Sequence, residues 1–105
     1  MKQYDITNTR LVDTAADSVI NRSAEQAALE SHLQALEEHY NDLRRSEGDL
    51  KSIADIKLQM ARALVSLERG SDAWPLGREA LGTFVIAEDF ESAADACDVL
   101  FQAEQ

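Results

Sequence analysis

The chain has 105 residues, enough for one small domain with a real core. Hydrophobic residues make up 45% and charged residues 29%, with a single proline, which is a globular rather than a disordered composition. Acids outnumber bases by 20 to 10, a net charge of −10 that repels nucleic-acid phosphates and anionic membrane surfaces. The single cysteine excludes an intramolecular disulfide framework and any multi-cysteine metal site.

The start of the chain, Met1-Lys2-Gln3-Tyr4-Asp5, is not followed by an apolar secretory stretch, and no apolar run is long enough to span a bilayer. With one unpaired thiol, this points to a reducing, cytoplasmic setting. No Asn-Gly or Asp-Gly hairpin signal and no alternating run suggests a strand, so the expected class is all-α, built from four to five helices.

Taken in order, the first expected helix covers residues 9–21. Leu11, Val12, Ala15, Ala16, Val19 and Ile20 share its apolar face, and it belongs to an N-terminal extension, residues 1–22. The second covers residues 24–46 and opens the helical domain, residues 23–105. Ser23 with Gln26 reads as a capping box. Leu29, Leu33, Leu36, Tyr40 and Leu43 form a seam with a period near 3.5, and Gly48 is placed to supply a left-handed closing residue.

The third helix is expected over residues 50–69, capped by Asp49 and stopped by Gly70. Its main stripe is Leu50, Ile53, Met60, Leu64 and Leu67; Ile56, Ala61, Ala63 and Val65 broaden it, which makes this the central helix. The fourth covers residues 72–87 with Ser71 as its cap and Pro75 in its first turn. Ala73, Gly77 and Ala80 form a small-residue stripe, and Gly77 and Gly82 are expected to admit a neighbouring helix. The fifth covers residues 90–104, capped by Asp89. Phe90, Ala93, Ala94, Cys97, Leu100 and Phe101 form its apolar face, with Glu91, Asp95 and Asp98 on the other. Connections this short force sequential helices antiparallel, giving stacked hairpins in a bundle or short solenoid.

Two segments carry a resemblance. One is Ala61-Arg62-Ala63-Leu64, then Gly70, Ala73, Gly77, Ala80 and Leu81; the other is Ala80-Leu81-Gly82, Phe84, Asp89-Phe90-Glu91 and Ala93. Both are similar to the tetratricopeptide (TPR) repeat, an antiparallel helix pair of about 34 residues. Ala73 and Ala93 are only 20 residues apart, so the two matches overlap. The resemblance therefore implies a TPR-like hairpin within residues 50–104 rather than a tandem array. It also implies a protein–protein interaction module without catalysis.

The candidate chemistry is sparse. His32 and His39 lie two turns apart on one helix face, about 10 Å from each other, too far to share one metal ion, and read as boundary residues. Cys97, with no histidine or second cysteine near it in sequence, reads as a buried structural thiol. Nucleophile-elbow, phosphate-loop, dinucleotide and kinase signatures are absent, so no catalytic residue, metal or cofactor is expected.

Charge placement is the strongest functional signal. After Arg78 there is no Lys or Arg, while residues 79–105 carry seven acids: Glu79, Glu88, Asp89, Glu91, Asp95, Asp98 and Glu104. The expected function is a small acidic adaptor or chaperone-like protein that binds a protein partner, with a basic segment in that partner. The expected contact residues are Trp74, Glu91, Asp95, Asp98 and Phe101. The alternatives are a homodimer through the Leu29–Leu43 seam and, behind it, a metal-binding helical protein.

Overall fold

The structure is a computed structural model that describes the backbone of residues 2–104 and the side chains of residues 20–104. It is all-α: four helices, α1 (Lys2–Arg45), α2 (Leu50–Ser66), α3 (Gly70–Ile86) and α4 (Phe90–Ala103), with no strand among the described residues. Successive helices pack antiparallel, α2 on α1, α3 on α2 and α4 on α3, and α4 also touches α2.

The two helices expected at residues 9–21 and 24–46 are one. Ser23 is an interior residue of α1, and the expected capping box does not form. Nothing between residues 20 and 28 is a glycine or proline, and all nine of these residues are exposed, so no packing contact forces a turn there. The domain boundary expected after residue 22 thus falls within an unbroken helix. The apolar face expected from Leu11 to Val19 lies outside the described side chains, and Ile20 is exposed. Forty-four residues at 1.5 Å each make α1 about 66 Å long. That matches the 68 Å long axis of a molecule only 27 × 21 Å across.

The packed body begins at Leu29. Leu33 and Leu36 are buried in the core, with Tyr40 and Leu43 packed against it, so the seam from Leu33 to Leu43 packs against α2 of the same chain. α2 is central, as its breadth of apolar residues requires. It buries Ala54, Ile56, Leu58, Met60, Ala61, Ala63 and Leu64, whereas Leu50, expected in the buried stripe, is 74% exposed at its first turn. Phe84 of α3 is the largest fully buried side chain.

Three connections join the helices, and all are built alike. In each, a glutamate takes the left-handed conformation: Glu47 (φ 56°), Glu68 (φ 61°) and Glu88 (φ 60°). The residue after each donates its N–H back to the helix, Gly48 to the Leu43 carbonyl (2.7 Å), Arg69 to Leu64 (2.8 Å) and Asp89 to Phe84 (2.9 Å). The glutamates themselves donate to Arg44, Val65 and Val85, which completes a Schellman motif at each end. Neither Gly48 nor Gly70 is the left-handed residue, contrary to expectation. Gly48 follows it, and Gly70 is the first residue of α3. Accordingly α2 ends at Ser66 rather than residue 69, and Arg69, not Ser71, precedes α3 without a side-chain cap. Pro75 then lies beyond the first turn of α3, where its missing N–H leaves the exposed Ser71 carbonyl to water.

The glycines serve α4. A β-carbon on Gly70 would lie 2.3 Å from the Ala103 carbonyl oxygen, and one on Gly77 would lie 3.0 Å from Leu100 Cδ2. Gly82, expected to admit a neighbour, faces open space.

Gly82→Ala should stabilise the fold by about 1 kcal/mol, because nothing opposes a methyl group on this exposed helix position. Gly70→Ala should destabilise it by about 1–3 kcal/mol, since the obstacle is backbone. Chemical denaturation of the two variants checks both signs. Glu68→Gly and Glu88→Gly should each stabilise by roughly 1 kcal/mol, because glycine relieves the left-handed strain that glutamate bears there; thermal melts of the two variants read this directly.

Candidate functional site

Helices α2 and α4 begin forty residues apart with the same device. Asp49 Oδ1 accepts the Ser52 N–H at 2.8 Å, and Asp89 Oδ1 accepts the Ser92 N–H at 3.2 Å, so both helices carry the aspartate cap read from the sequence. Because α3 runs between them, α2 and α4 are parallel and their N-termini lie side by side. Lys51 Nζ on the first turn of α2 reaches Asp89 Oδ2 at 3.2 Å.

Packing of α3 and α4 against α2 brings the bases of α2 alongside acids that follow Arg78. Lys57 pairs with Glu79 at 2.9 Å and Arg62 with Asp95 at 3.7 Å, in addition to Lys51 with Asp89. Three of the seven acids that stand unopposed in sequence are therefore opposed in space. Among the described residues, Glu91 and Asp98 form no ion pair, and Glu104 Oε1 accepts the Trp74 indole N–H at 3.3 Å.

The apolar residues of α4 are sorted differently from the expectation. Ala93, Ala96 and Val99 are buried, with Leu100 and Ala103 partly so. Phe90 (65%) and Phe101 (66%) are exposed, as are Ala94 and Cys97. The expectation that Cys97 is a buried thiol is thus corrected. The physical reason is the close approach to α3, where Ala103 meets Gly70 and Leu100 meets Gly77, which turns the Ala93, Ala96 and Val99 side of α4 inward. The larger residues turn outward, and Cys97 shares their face.

The exposed residues form a second stripe. Phe90, Ala94, Cys97 and Phe101 recur at spacings of four, three and four, which places them within an arc of about 60° along three turns. Glu91, Asp95 and Asp98 occupy the adjacent arc, on the α2 side. On the α3 side Trp74, 39% exposed, stands beside the end of α4 through its bond to Glu104, with the Arg78 guanidinium 5.7 Å from its ring centroid. Val85, 49% exposed, lies near the other end of α3. All five residues expected from the sequence, Trp74, Glu91, Asp95, Asp98 and Phe101, therefore lie on or beside one face of α3 and α4. Phe90, Ala94 and Cys97 complete that face. Reading α4 as two interleaved apolar stripes instead of one broad face would have found them.

Elsewhere the surface offers less. A cleft of about 260 Å³ where α1 passes the end of α2 is lined by Arg22, Glu25, Gln26, Leu29, Ser66, Leu67 and Glu68. His32 and His39 are both exposed, and no group of three or more His, Cys, Asp or Glu among the described residues could hold a metal ion. No described helix is long and apolar enough to cross a membrane. The chain matches no protein-family model, no curated protein and no solved structure at a significant level.

Both cap aspartates titrate below the usual carboxylate range. Hydrogen bonds from the Ser52 hydroxyl and backbone N–H hold Asp49 down; the same groups of Ser92, then Lys51, hold Asp89 down. A carboxyl lowered in the folded state stabilises the fold above its unfolded value near 4, and that stabilisation disappears as the pH falls through the folded value. Melting temperature should therefore drop as the pH falls below about 4. In the Asp49→Asn, Asp89→Asn double variant, which keeps a capping oxygen without the titratable charge, the drop should be shallower; melts between pH 7 and 2.5 compare the two slopes.

Proposed function

We propose that the chain is a non-catalytic protein–protein interaction module, an acidic adaptor or chaperone-like protein. Its docking surface is the outer face of α3 and α4. The observation that carries this reading is the exposed stripe of Phe90, Ala94, Cys97 and Phe101, continued by Trp74. Two phenylalanines and a tryptophan left exposed together on one face are what an interaction site requires. Such anchors supply most of an interface's binding energy when a partner desolvates them. The flanking acids supply steering and specificity instead of affinity. The TPR resemblance of residues 50–104 agrees with this reading through the three antiparallel helices. Their 20-residue spacing of helix starts, at Leu50, Gly70 and Phe90, departs from the repeat's own period.

The test is affinity capture from the native source with the wild-type chain and with Phe90→Ser, Phe101→Ser. The substituted residues are exposed, so circular dichroism should show an unchanged fold. A protein held by the wild type and lost by the variant is expected. Identical captured sets would overturn the reading.

A further inference from the structure

We infer that the α4 stripe takes a basic amphipathic helix from a protein partner, laid along Phe90, Ala94, Cys97 and Phe101 with its cationic flank against Glu91 and Asp98. This rests on the interaction reading above and names the chemistry of the occupant.

The shape favours a helix. The stripe is straight, about 16 Å from Phe90 to Phe101, and its residues stand at the spacing of a helical ridge. It is bounded on one side by Trp74 of α3 and on the other by the acid row. An amphipathic helix with apolar residues at i, i+4, i+7 and i+11 matches that length and pitch.

The charge selects the kind of helix. From Arg44 onward every Lys and Arg already has a partner inside the chain. Arg45 pairs with Asp42, Lys51 with Asp89, Lys57 with Glu79, Arg62 with Asp95 and Arg69 with Asp72. Arg44 and Arg78 stack on Tyr40 and Trp74. Among the described residues Glu91 and Asp98, which flank the stripe for two turns, form no ion pair, and Arg78 stands on the opposite, Trp74 side of the stripe. A second copy of this chain is a poor occupant. Antiparallel pairing of two α4 helices about a two-fold axis sets the acid row of one against the acid row of the other, and α4 carries no base. A partner helix with Lys or Arg along one flank removes the repulsion and pairs both acids.

Two residues make the test specific, because the chain has one tryptophan and one cysteine and both belong to this face. Three synthetic peptides of about five turns serve as probes. The first carries leucines at i, i+4, i+7 and i+11 with a lysine flank. The second replaces the lysines by glutamine. The third has the first one's composition with its leucines scattered around the helix. The first should slow Cys97 alkylation severalfold and shift Trp74 emission. Its affinity at low salt should exceed that of the glutamine peptide by about tenfold, and the gap should close as salt is raised. The scattered peptide should leave the alkylation rate unchanged. Glu91→Gln with Asp98→Asn should remove the advantage of the lysine peptide and leave the glutamine peptide as before.

Equal binding of the lysine and glutamine peptides would overturn the basic chemistry while the docking surface stood. Protection of Cys97 by the scattered peptide would show that net charge alone draws the probes in. A dimer mass for the wild type that Phe101→Ser reduces to a monomer would make a second copy the occupant. The interaction reading itself fails separately, if capture is indifferent to Phe90→Ser, Phe101→Ser.

Discussion

At its C-terminal end α4 approaches α3 so closely that the Ala103 carbonyl oxygen lies 2.3 Å from where a β-carbon on Gly70 would be. One turn back along α4, Leu100 fills the space beside Gly77. This contact turns the Ala93, Ala96 and Val99 side of α4 inward, where glycines of α3 make room for it. Its rotation about its own axis is thereby set. With the small stripe committed to the core, Phe90, Cys97 and Phe101 have no interior left to enter. The same contact that closes the core therefore creates the exposed aromatic face. The Trp74 indole, bonded to Glu104, stands at its edge.

Electrostatics follow from the same packing. An antiparallel stack of short-looped helices makes every second helix parallel, and this sets Lys51 and Arg62 of α2 beside Asp89 and Asp95 of α4. These pairs are partly or fully exposed and each contributes little to stability. Their consequence is spatial: they neutralise the acids nearest α2 and leave Glu91 and Asp98 along the exposed stripe. A charge surplus that runs through all of residues 79–105 in the sequence becomes, in three dimensions, a short row flanking an apolar ridge.

The three connections show how a repeated local solution can be built without the residue most suited to it. Glutamate occupies the left-handed position at 47, 68 and 88, and in each motif the returning N–H satisfies a carbonyl three residues before the helix cap. Those hydrogen bonds and the packing on either side hold a conformation that glutamate alone disfavours. Glycines nearby were free to be used elsewhere: Gly70 and Gly77 are placed for proximity rather than for backbone freedom.

Much of this was legible in the sequence. Helical periodicity, the lack of strand signals, the Asp49 and Asp89 caps and the centrality of α2 are local or compositional properties, and local physics decides them. The acidic run after Arg78 and the candidates Trp74, Glu91, Asp95, Asp98 and Phe101 were equally visible. Three things were not. The continuity of α1 through Ser23 depends on the absence of any tertiary contact that would force a break there. The choice of Glu47 and Glu68 over Gly48 and Gly70 depends on where each helix is ended by packing, a matter of one residue. The outward rotation of Phe90, Cys97 and Phe101 was hidden because α4 carries two apolar stripes of equal helical spacing. Periodicity cannot rank two stripes of the same period; the width of the gap beside Gly70 and Gly77 can, and that gap exists only once α3 and α4 have come together.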